Sequence, residues 1–509
     1  MAKSKSSSFV ITRRLYPTKA QEDYLDNLMF VCNRIYNTAV RHYKKVIEEL
    51  YNDKYYIYCY EKLKEANKSK NEKLAKTWLN EISVCMIGYK LTEYDIHEFM
   101  GNNKVNSYSK LNQRDLGIGI NIVQKLGNNL YQSIKKAVFA QTEIHFRKRG
   151  QTCSFEDKKA TSGIIYKDDG TVNVLGVKIN IKPVRYNDKY MQEALMHKIK
   201  YCRIIREPFK NKYKYFLQLI LEGTSPIKHE LGDGDCGIDE GISTIAYYND
   251  KESDFEVLGN GIEKYEKGIH KAAIKYERRL RLNNPDCYDE NGVIIKGSKF
   301  KRTKGSRKAL MELKNAYRKK TKFIKESHNK LANKIISNCN IIIKEPMDYK
   351  NFKKRAKELK RQNKTTTIKN KSDETKQINK YKKRKRFGKS INRRSPGLFN
   401  KILENKIKAL GGEFINVNIN KYKASKYNHV TRNIINCKLS DRVKIIDNNL
   451  VQRDLYSSFL LYNYLDLETI DFDKCDILFE DFLTKQEKVI EKITFSGDNT
   501  KNFGLKDFM

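Results

Sequence analysis

Three acids carry the chemistry this sequence is equipped for. Asp239 lies in Asp235-Cys-Gly-Ile-Asp-Glu-Gly-Ile-Ser-Thr-Ile-Ala-Tyr-Tyr-Asn249, where Ile238, Ile242, Ile245 and Ala246 are strand formers suited to burial. A carboxylate among them is costly unless a cation or a donor meets it, which is how a metal ligand looks. Glu240 stands beside it, but successive strand side chains point to opposite faces, so one of the pair serves any given site. Glu345 closes the run Asn340-Ile-Ile-Ile-Lys-Glu, and Pro346 biases it toward extended geometry at the strand end. Asp454 stands at the start of the helix Arg453-Asp-Leu-Tyr-Ser-Ser-Phe, where a carboxylate suits the helix dipole and Ser457 and Ser458 leave room for an ion and a phosphate. Three such carboxylates without His or Cys companions favour Mg²⁺ or Mn²⁺ over zinc. Two such ions, ~3.5–4 Å apart, would activate a water and stabilise the leaving oxygen of a phosphodiester. The chemistry expected is that of a metal-dependent nuclease. His328, on a long helical pattern, is expected to be a satisfied interface residue.

The elements that must position these acids follow from periodicity. Phe9–Tyr16 alternates as a first strand, and Thr18 with Gln21 forms a capping box ahead of a long amphipathic helix stepping through Leu25, Leu28, Cys32, Ile35, Ala39, Tyr43, Ile47 and Leu50. Helical patterns at about 56–79, 84–101 and 119–149 follow. Near residue 152 the period becomes strand-like: Gly163–Val174 reads as a hairpin around Asp168-Asp-Gly170, then come Lys198–Ile205 and Lys214–Glu222. A small barrel completed by the first strand is expected, with the helical block inserted into it. After the central stretch come a strand at 254–258, basic helices at 261–282 and 306–337, and a Gly- and Asn-rich loop between them. From Lys353 to Lys389 there are 17 Lys and Arg against 3 Asp and Glu, which reads as a flexible basic insert ordered only against nucleic acid. Pro396 opens a helix that stops at Gly411-Gly412, and Glu413–Asn420 alternates as a strand. The tail after Leu465 is acidic and suggests no chemistry.

Composition bounds the partners. At 509 residues, roughly three domains are expected, and Lys plus Arg exceed Asp plus Glu by 102 − 61 = 41. That excess implies a polyanion held through its phosphates, and the Tyr and Phe interleaved with the cations suit stacking on single-stranded bases, although most of them serve the core. The ten cysteines form no CxxC pair, which fits a reducing compartment. No apolar run approaches a membrane span. A soluble, cytoplasmic protein is expected.

The sequence also resembles the TnpB proteins, transposon-encoded RNA-guided DNA nucleases related to type V CRISPR effectors, especially those of clostridial IStron-like elements. The resemblance rests on Gly237-Ile-Asp-Glu-Gly-Ile-Ser-Thr-Ile-Ala, Arg281-Leu-Asn-Asn-Pro-Asp-Cys-Tyr-Asp-Glu-Asn-Gly and Lys330-Leu-Ala-Asn-Lys-Ile. It continues through Arg394-Ser-Pro-Gly-Leu-Phe, Lys438-Leu-Ser-Asp-Arg and Gln452-Arg-Asp-Leu-Tyr-Ser-Ser-Phe, and more weakly through Leu15-Tyr-Pro-Thr-Lys-Ala-Gln and Arg34-Ile-Tyr-Asn. It implies a mixed α/β multidomain protein with an RNase H-like (RuvC) nuclease domain and Asp239, Glu345 and Asp454 as its metal-binding catalytic residues. The implied division is a wedge β-barrel at 1–17 and 152–230, a helical recognition lobe at 18–151, and a nuclease domain at 231–420 with the basic insert 353–389. A target-nucleic-acid-binding module follows at 421–450, then the helix of the third catalytic motif at 451–466 and the acidic tail at 467–509. The partners implied are guide RNA and target DNA, with the protein reading a short motif beside the target and base pairing reading the rest.

One departure stands out. Relatives carry a four-cysteine zinc module between the second and third motifs, whereas here only His429 and Cys437 could ligate, and two ligands do not close a zinc site. No zinc is expected, though Asp447-Asn-Asn449 can still turn a hairpin. Rival readings are a guided DNA-binding repressor without cleavage, which loss of an acid would signal, and a transposase, whose usual acid order differs from Asp, Glu, Asp. A junction-resolvase-like nuclease would need neither the helical lobe nor the barrel.

Overall fold

The computed structural model describes residues 7–108, 118–148, 150–210, 212–226, 230–290, 292–353, 361–369, 375–381, 387–435, 441–495, 503 and 505. The chain divides into two compact units, Met1–Pro226 and Ile227–Met509, where its length suggests roughly three. No described helix is long and apolar enough to cross a membrane.

The first unit opens with β1 (Ser8–Tyr16), α1 (Lys19–Asn52), α2 (Lys54–Lys68), α3 (Glu72–Gly88), α4 (Glu93–Tyr108) and α5 (Ile120–Ala140). Thr18 caps α1 through the reciprocal bonds of a capping box: the Gln21 amide donates to Thr18 Oγ1 at 3.3 Å and the Thr18 amide to Gln21 Oε1 at 2.9 Å. The expected helix at 56–79 is broken, because Lys70 turns left-handed and Asn71 caps α3. The one at 119–149 stops at Ala140, where Gln141 takes the left-handed conformation common after a helix. Next come β2 (Ser154–Glu156), β3 (Ile164–Lys167), β4 (Thr171–Val174), β5 (Val177–Ile181), α6 (Lys189–Leu195), β6 (Ile199–Phe209) and β7 (Lys212–Glu222). The strands form a seven-stranded antiparallel sheet in the order β2-β6-β7-β1-β5-β4-β3. β1 pairs with β7 from Ser8 to Arg14 and hands over to β5 at Leu15 and Tyr16, so the sheet turns about this strand. β1 is the middle of this sheet, and β2 and β3 stand at the two ends of the strand order. One hydrophobic core joins α1 to the inward residues of the sheet.

The second unit runs through β8 (Asp235–Glu240), β9 (Thr244–Asn249), β10 (Ser253–Val257), α7 (Glu263–Leu282), α8 (Lys304–Ile336) and β11 (Ile341–Lys344). It continues with α9 (Tyr349–Lys353), β12 (Arg361–Lys369), β13 (Thr375–Tyr381), α10 (Gly388–Arg394), α11 (Pro396–Ala409) and β14 (Glu413–Asn416). It ends with the short pairs β15 (Tyr427–Asn428) with β16 (Asn433–Ile434) and β17 (Val443–Ile446) with β18 (Asn449–Gln452), then α12 (Arg453–Tyr462) and α13 (Phe472–Phe495). A five-stranded sheet in the order β10-β9-β8-β11-β14 organises this unit. β8 to β10 are antiparallel neighbours, while β11 runs parallel to β8 and β14, each parallel connection being made by helices.

Alternation gives that sheet two buried faces. Ile238, Ile245, Tyr247 and Ile342 face one core with Ile335 of α8 and Phe399 and Leu403 of α11. Ala246, Tyr248 and Ile343 face another with Leu455 and Phe459 of α12 and Phe479 and Phe482 of α13. Gly237 lets α12 lie directly on β8: a Cβ there would stand 2.1 Å from the Ser458 carbonyl oxygen and 2.3 Å from the Tyr462 amide. His328 is buried with Nε2 2.9 Å from the Arg394 carbonyl oxygen, the interface role expected of it.

Two stretches hold more regular structure than their composition suggests. The acidic tail contains α13, a core helix, because Cys475, Phe479, Phe482, Gln486, Val489 and Ile493 form a buried stripe at helical spacing while its acids take the outer face. The basic insert, expected to be flexible, contains β12 and β13 paired antiparallel, in keeping with the β-branched run Thr365-Thr-Thr-Ile368.

Candidate active site

Asp239 occupies the last turn of the pleat in β8, directly opposite Ala246 of β9 and on the sheet face covered by α12. The parallel register pairs Ile343 with Gly237 and Lys344 with Ile238, so Glu345, one residue further, comes level with Asp239. Asp454 sits in the first turn of α12, one turn ahead of the Ser458 that rests on Gly237. The three acids therefore arrive from β8, the end of β11 and the start of α12, and Asp239 feels both of the others electrostatically. Glu240 faces the opposite side of the sheet, as alternation requires.

Their surroundings differ. Burial pushes the Asp239 carboxyl well above the usual carboxylate range, the charges of Asp454 and Glu345 push it further, and Arg453 and the Ser457 hydroxyl oppose the shift. Asp239 keeps some solvent contact at its rim, so its surroundings are crowded by protein without being sealed. Burial also raises Glu345, against which the Ala424 amide donates to its Oε1 at 3.0 Å. Asp454 is held by two arginines: Arg442 Nη1 donates to Oδ2 at 3.0 Å, and Arg453 Nη2 and Nε donate to Oδ1 at 2.8 and 3.1 Å. The helix cap is supplied by Gln452, whose Oε1 accepts from the amides of Asp454 and Leu455 at 2.7 and 2.8 Å. Among the described residues no three of His, Cys, Asp and Glu are gathered closely enough to share an ion. The donors that Asp239, Glu345 and Asp454 offer are all oxygen, the donor type that hard divalent cations take.

Arg442 and Arg453 have no part in a reading built on acids, yet a signal for them exists. Asp447 and Asn448 take positive φ (45° and 60°), forming the two-residue turn of the β17–β18 hairpin, and this brings Arg442 back beside Arg453, whose amide donates to the Arg442 carbonyl at 2.9 Å. In the same segment His429 is buried with Nδ1 2.7 Å from the Tyr456 hydroxyl. Cys437, its expected companion, lies outside the described residues.

Residues 10–51 match the family model HTH_OrfB_IS605, described as a helix-turn-helix domain, which supports the TnpB-like resemblance. In the structure that stretch is β1 followed by the single helix α1. No curated protein matches the chain. Among solved structures, a chain from a cryo-EM structure of a Cas12f1–sgRNA–target DNA complex aligns over 90% of this chain and 99% of its own at 11% identity, with a TM-score of 0.40. A chain of a CRISPR–Cas12f ternary complex aligns over 91% and 100% at 13% identity, with a TM-score of 0.27.

Proposed function

We propose that this chain is an RNA-guided, divalent-metal-dependent DNA endonuclease of the TnpB type, hydrolysing phosphodiester bonds of target DNA at a single RuvC-like site. The observation that carries this reading is the situation of Asp239, a half-buried carboxyl whose charged form is opposed by desolvation and by two further acids, Glu345 and Asp454, that the β8–β11 register and the start of α12 bring to its side of the sheet. Groups shifted in this way by desolvation and specific partners cluster at functional sites. Asp239, Glu345 and Asp454 would hold Mg²⁺ or Mn²⁺, in a pair, which supplies an activated water and stabilisation of the leaving oxygen. Arg442, whose side chain is 44% exposed, gives Asp454 a countercharge that a bound cation would replace, and its guanidinium is then suited to a substrate phosphate. Ser457, buried in the first turns of α12, sets its hydroxyl against the Asp239 carboxyl.

Guide RNA and target DNA are the partners that the net charge of +41 and the TnpB-like resemblance support. The first unit offers a partly exposed cation–ring pair: Lys125 Nζ lies 4.2 Å from the ring centre of Tyr201. Such pairs suit bases and phosphates together.

The test is cleavage by the full chain with the RNA that copurifies with it. Asp239→Ala and Glu345→Ala each lower cleavage in Mg²⁺ by roughly 10³-fold or more while guided binding of the target stays within about twofold. Retained cleavage would falsify the metal-site assignment, and absence of any discrete copurifying RNA would remove the guided part of the reading. A second reading, a guided DNA-binding repressor, is favoured by one observation: both oxygens of Asp454 are engaged by arginine. It takes over if the unaltered protein binds its guided target without cutting it in Mg²⁺ or Mn²⁺.

A further inference from the structure

Each of the two strands that bring acids to the α12 face carries a charged residue one step away, turned to the other face. In β8 this is Glu240, next to Asp239; in β11 it is Lys344, next to Glu345. Their side chains are 0% and 2% exposed, and Lys344 Nζ donates to Glu240 Oε2 and, at 2.6 Å, to Asn400 Oδ1 of α11. The surrounding face is otherwise apolar, built from Ile238, Ile245, Phe399 and Leu403. Glu240 Oε1 and the nearby Tyr349 hydroxyl are both buried, and burial and the Glu240 carboxylate together push the Tyr349 hydroxyl up.

Stability alone does not account for such a pair. Desolvating two charges offsets most of their attraction, and apolar replacements of similar volume are often neutral or stabilising. A buried pair does impose a fixed geometry, since Lys344 reaches across from β11 to a residue two positions beyond its register partner Ile238. That link spans the strand ends from which Asp239 and Glu345 project in the opposite direction.

We propose that Lys344 and Glu240 are positioning residues: their buried bridge on the back of the sheet sets the separation of Asp239 and Glu345 on the front, and with it the affinity of the site for divalent metal. The inference rests on the metal-binding reading of the three acids.

The experiment is Mn²⁺ binding followed by electron paramagnetic resonance on the full chain with its copurifying RNA, the site being the signal that Asp239→Ala removes. Thermal melting is recorded in parallel. Lys344→Met alone leaves a buried unpaired carboxylate and lowers the melting temperature, so the informative variant is the double replacement Glu240→Leu with Lys344→Met. That variant melts within a few degrees of the unaltered protein yet binds Mn²⁺ about 10–100-fold more weakly, the range expected when supporting residues behind a metal site are lost. Its cleavage shows the same displacement in Mn²⁺ concentration, with the rate at saturating metal closer to that of the unaltered protein. Unchanged Mn²⁺ affinity in the double variant overturns the positioning role and leaves a merely structural bridge. If the double variant fails to fold, Lys344→Arg, which keeps the charge but lengthens the bridge, must still weaken Mn²⁺ binding in a folded protein for the proposal to stand. Absence of an Asp239-dependent Mn²⁺ signal in the unaltered protein is a different failure, which overturns the metal reading itself and this inference with it.

Discussion

Burial and two neighbouring acids raise the Asp239 carboxyl, so its charged form is disfavoured in the folded protein. Because the folded value lies above the unfolded one, Asp239 weakens folding at pH above its unfolded value, most strongly above its folded value, and that cost shrinks as the pH falls from the folded value and is gone below the unfolded one. Replacing Asp239 by Asn should therefore stabilise the metal-free protein at neutral pH by about 1–3 kcal/mol, the scale of a poorly compensated buried polar group. The advantage shrinks on acidification, and divalent metal stabilises the unaltered protein more than the variant. Calorimetry in chelator and in Mg²⁺ across pH checks this; a variant less stable than the unaltered protein at neutral pH would contradict it. At this scale the division between Asp239 and Glu240 is legible from strand alternation alone. The arginines on Asp454 are legible only indirectly, through the hairpin that Asp447-Asn-Asn449 can turn, because their approach depends on the β17–β18 turn closing.

Helix α12 reaches β8 only because residue 237 has no side chain. Gly237→Ala would force its Cβ into the backbone of α12 and shift the element that carries Asp454, so a loss of about 3 kcal/mol is expected, at the upper end of overpacking costs. Denaturant unfolding measures this, and a variant within 0.5 kcal/mol (about the noise of a surface change) would mean α12 does not bear on that strand. The long helices and the strands of the second unit are legible in sequence because their periods are sustained over several turns or pleats. Helix α13 is obscured for a chemical reason: six acids and four lysines are interleaved with its buried positions, Cys475, Phe479, Phe482, Gln486, Val489 and Ile493, which are spread through it at steps of three and four. The β12–β13 pair is obscured by charge in the same way, with Thr and Ile as its strand signal. The sheet of the first unit has every strand of the expected barrel, but which strands form its edges depends on β1 changing partner at Leu15, a tertiary choice that no local pattern records.

For the whole molecule, charge dominates the expected behaviour. With a net charge of +41, a complex with RNA should weaken steeply with salt: six or more neutralised phosphates imply roughly 10³-fold or more between 50 and 200 mM. Filter binding of the copurifying RNA at several salt concentrations gives the slope, and a near-flat dependence would rule out phosphate contacts as the main source of affinity.

The anchoring of α12 by α13 bears on when the second unit can mature. The Gln452 amide donates to Gln486 Oε1 at 2.7 Å, the Tyr248 hydroxyl to Asp481 Oδ2 at 2.6 Å, and Phe482 packs into the core that backs Ala246. During synthesis the strand bearing Asp239 leaves the ribosome more than two hundred residues before these partners do. A nascent chain halted before Phe472 would thus present its acids on an unfinished core, and the arrangement of Asp239, Glu345 and Asp454 would be completed only late in translation, after the first unit has been synthesised.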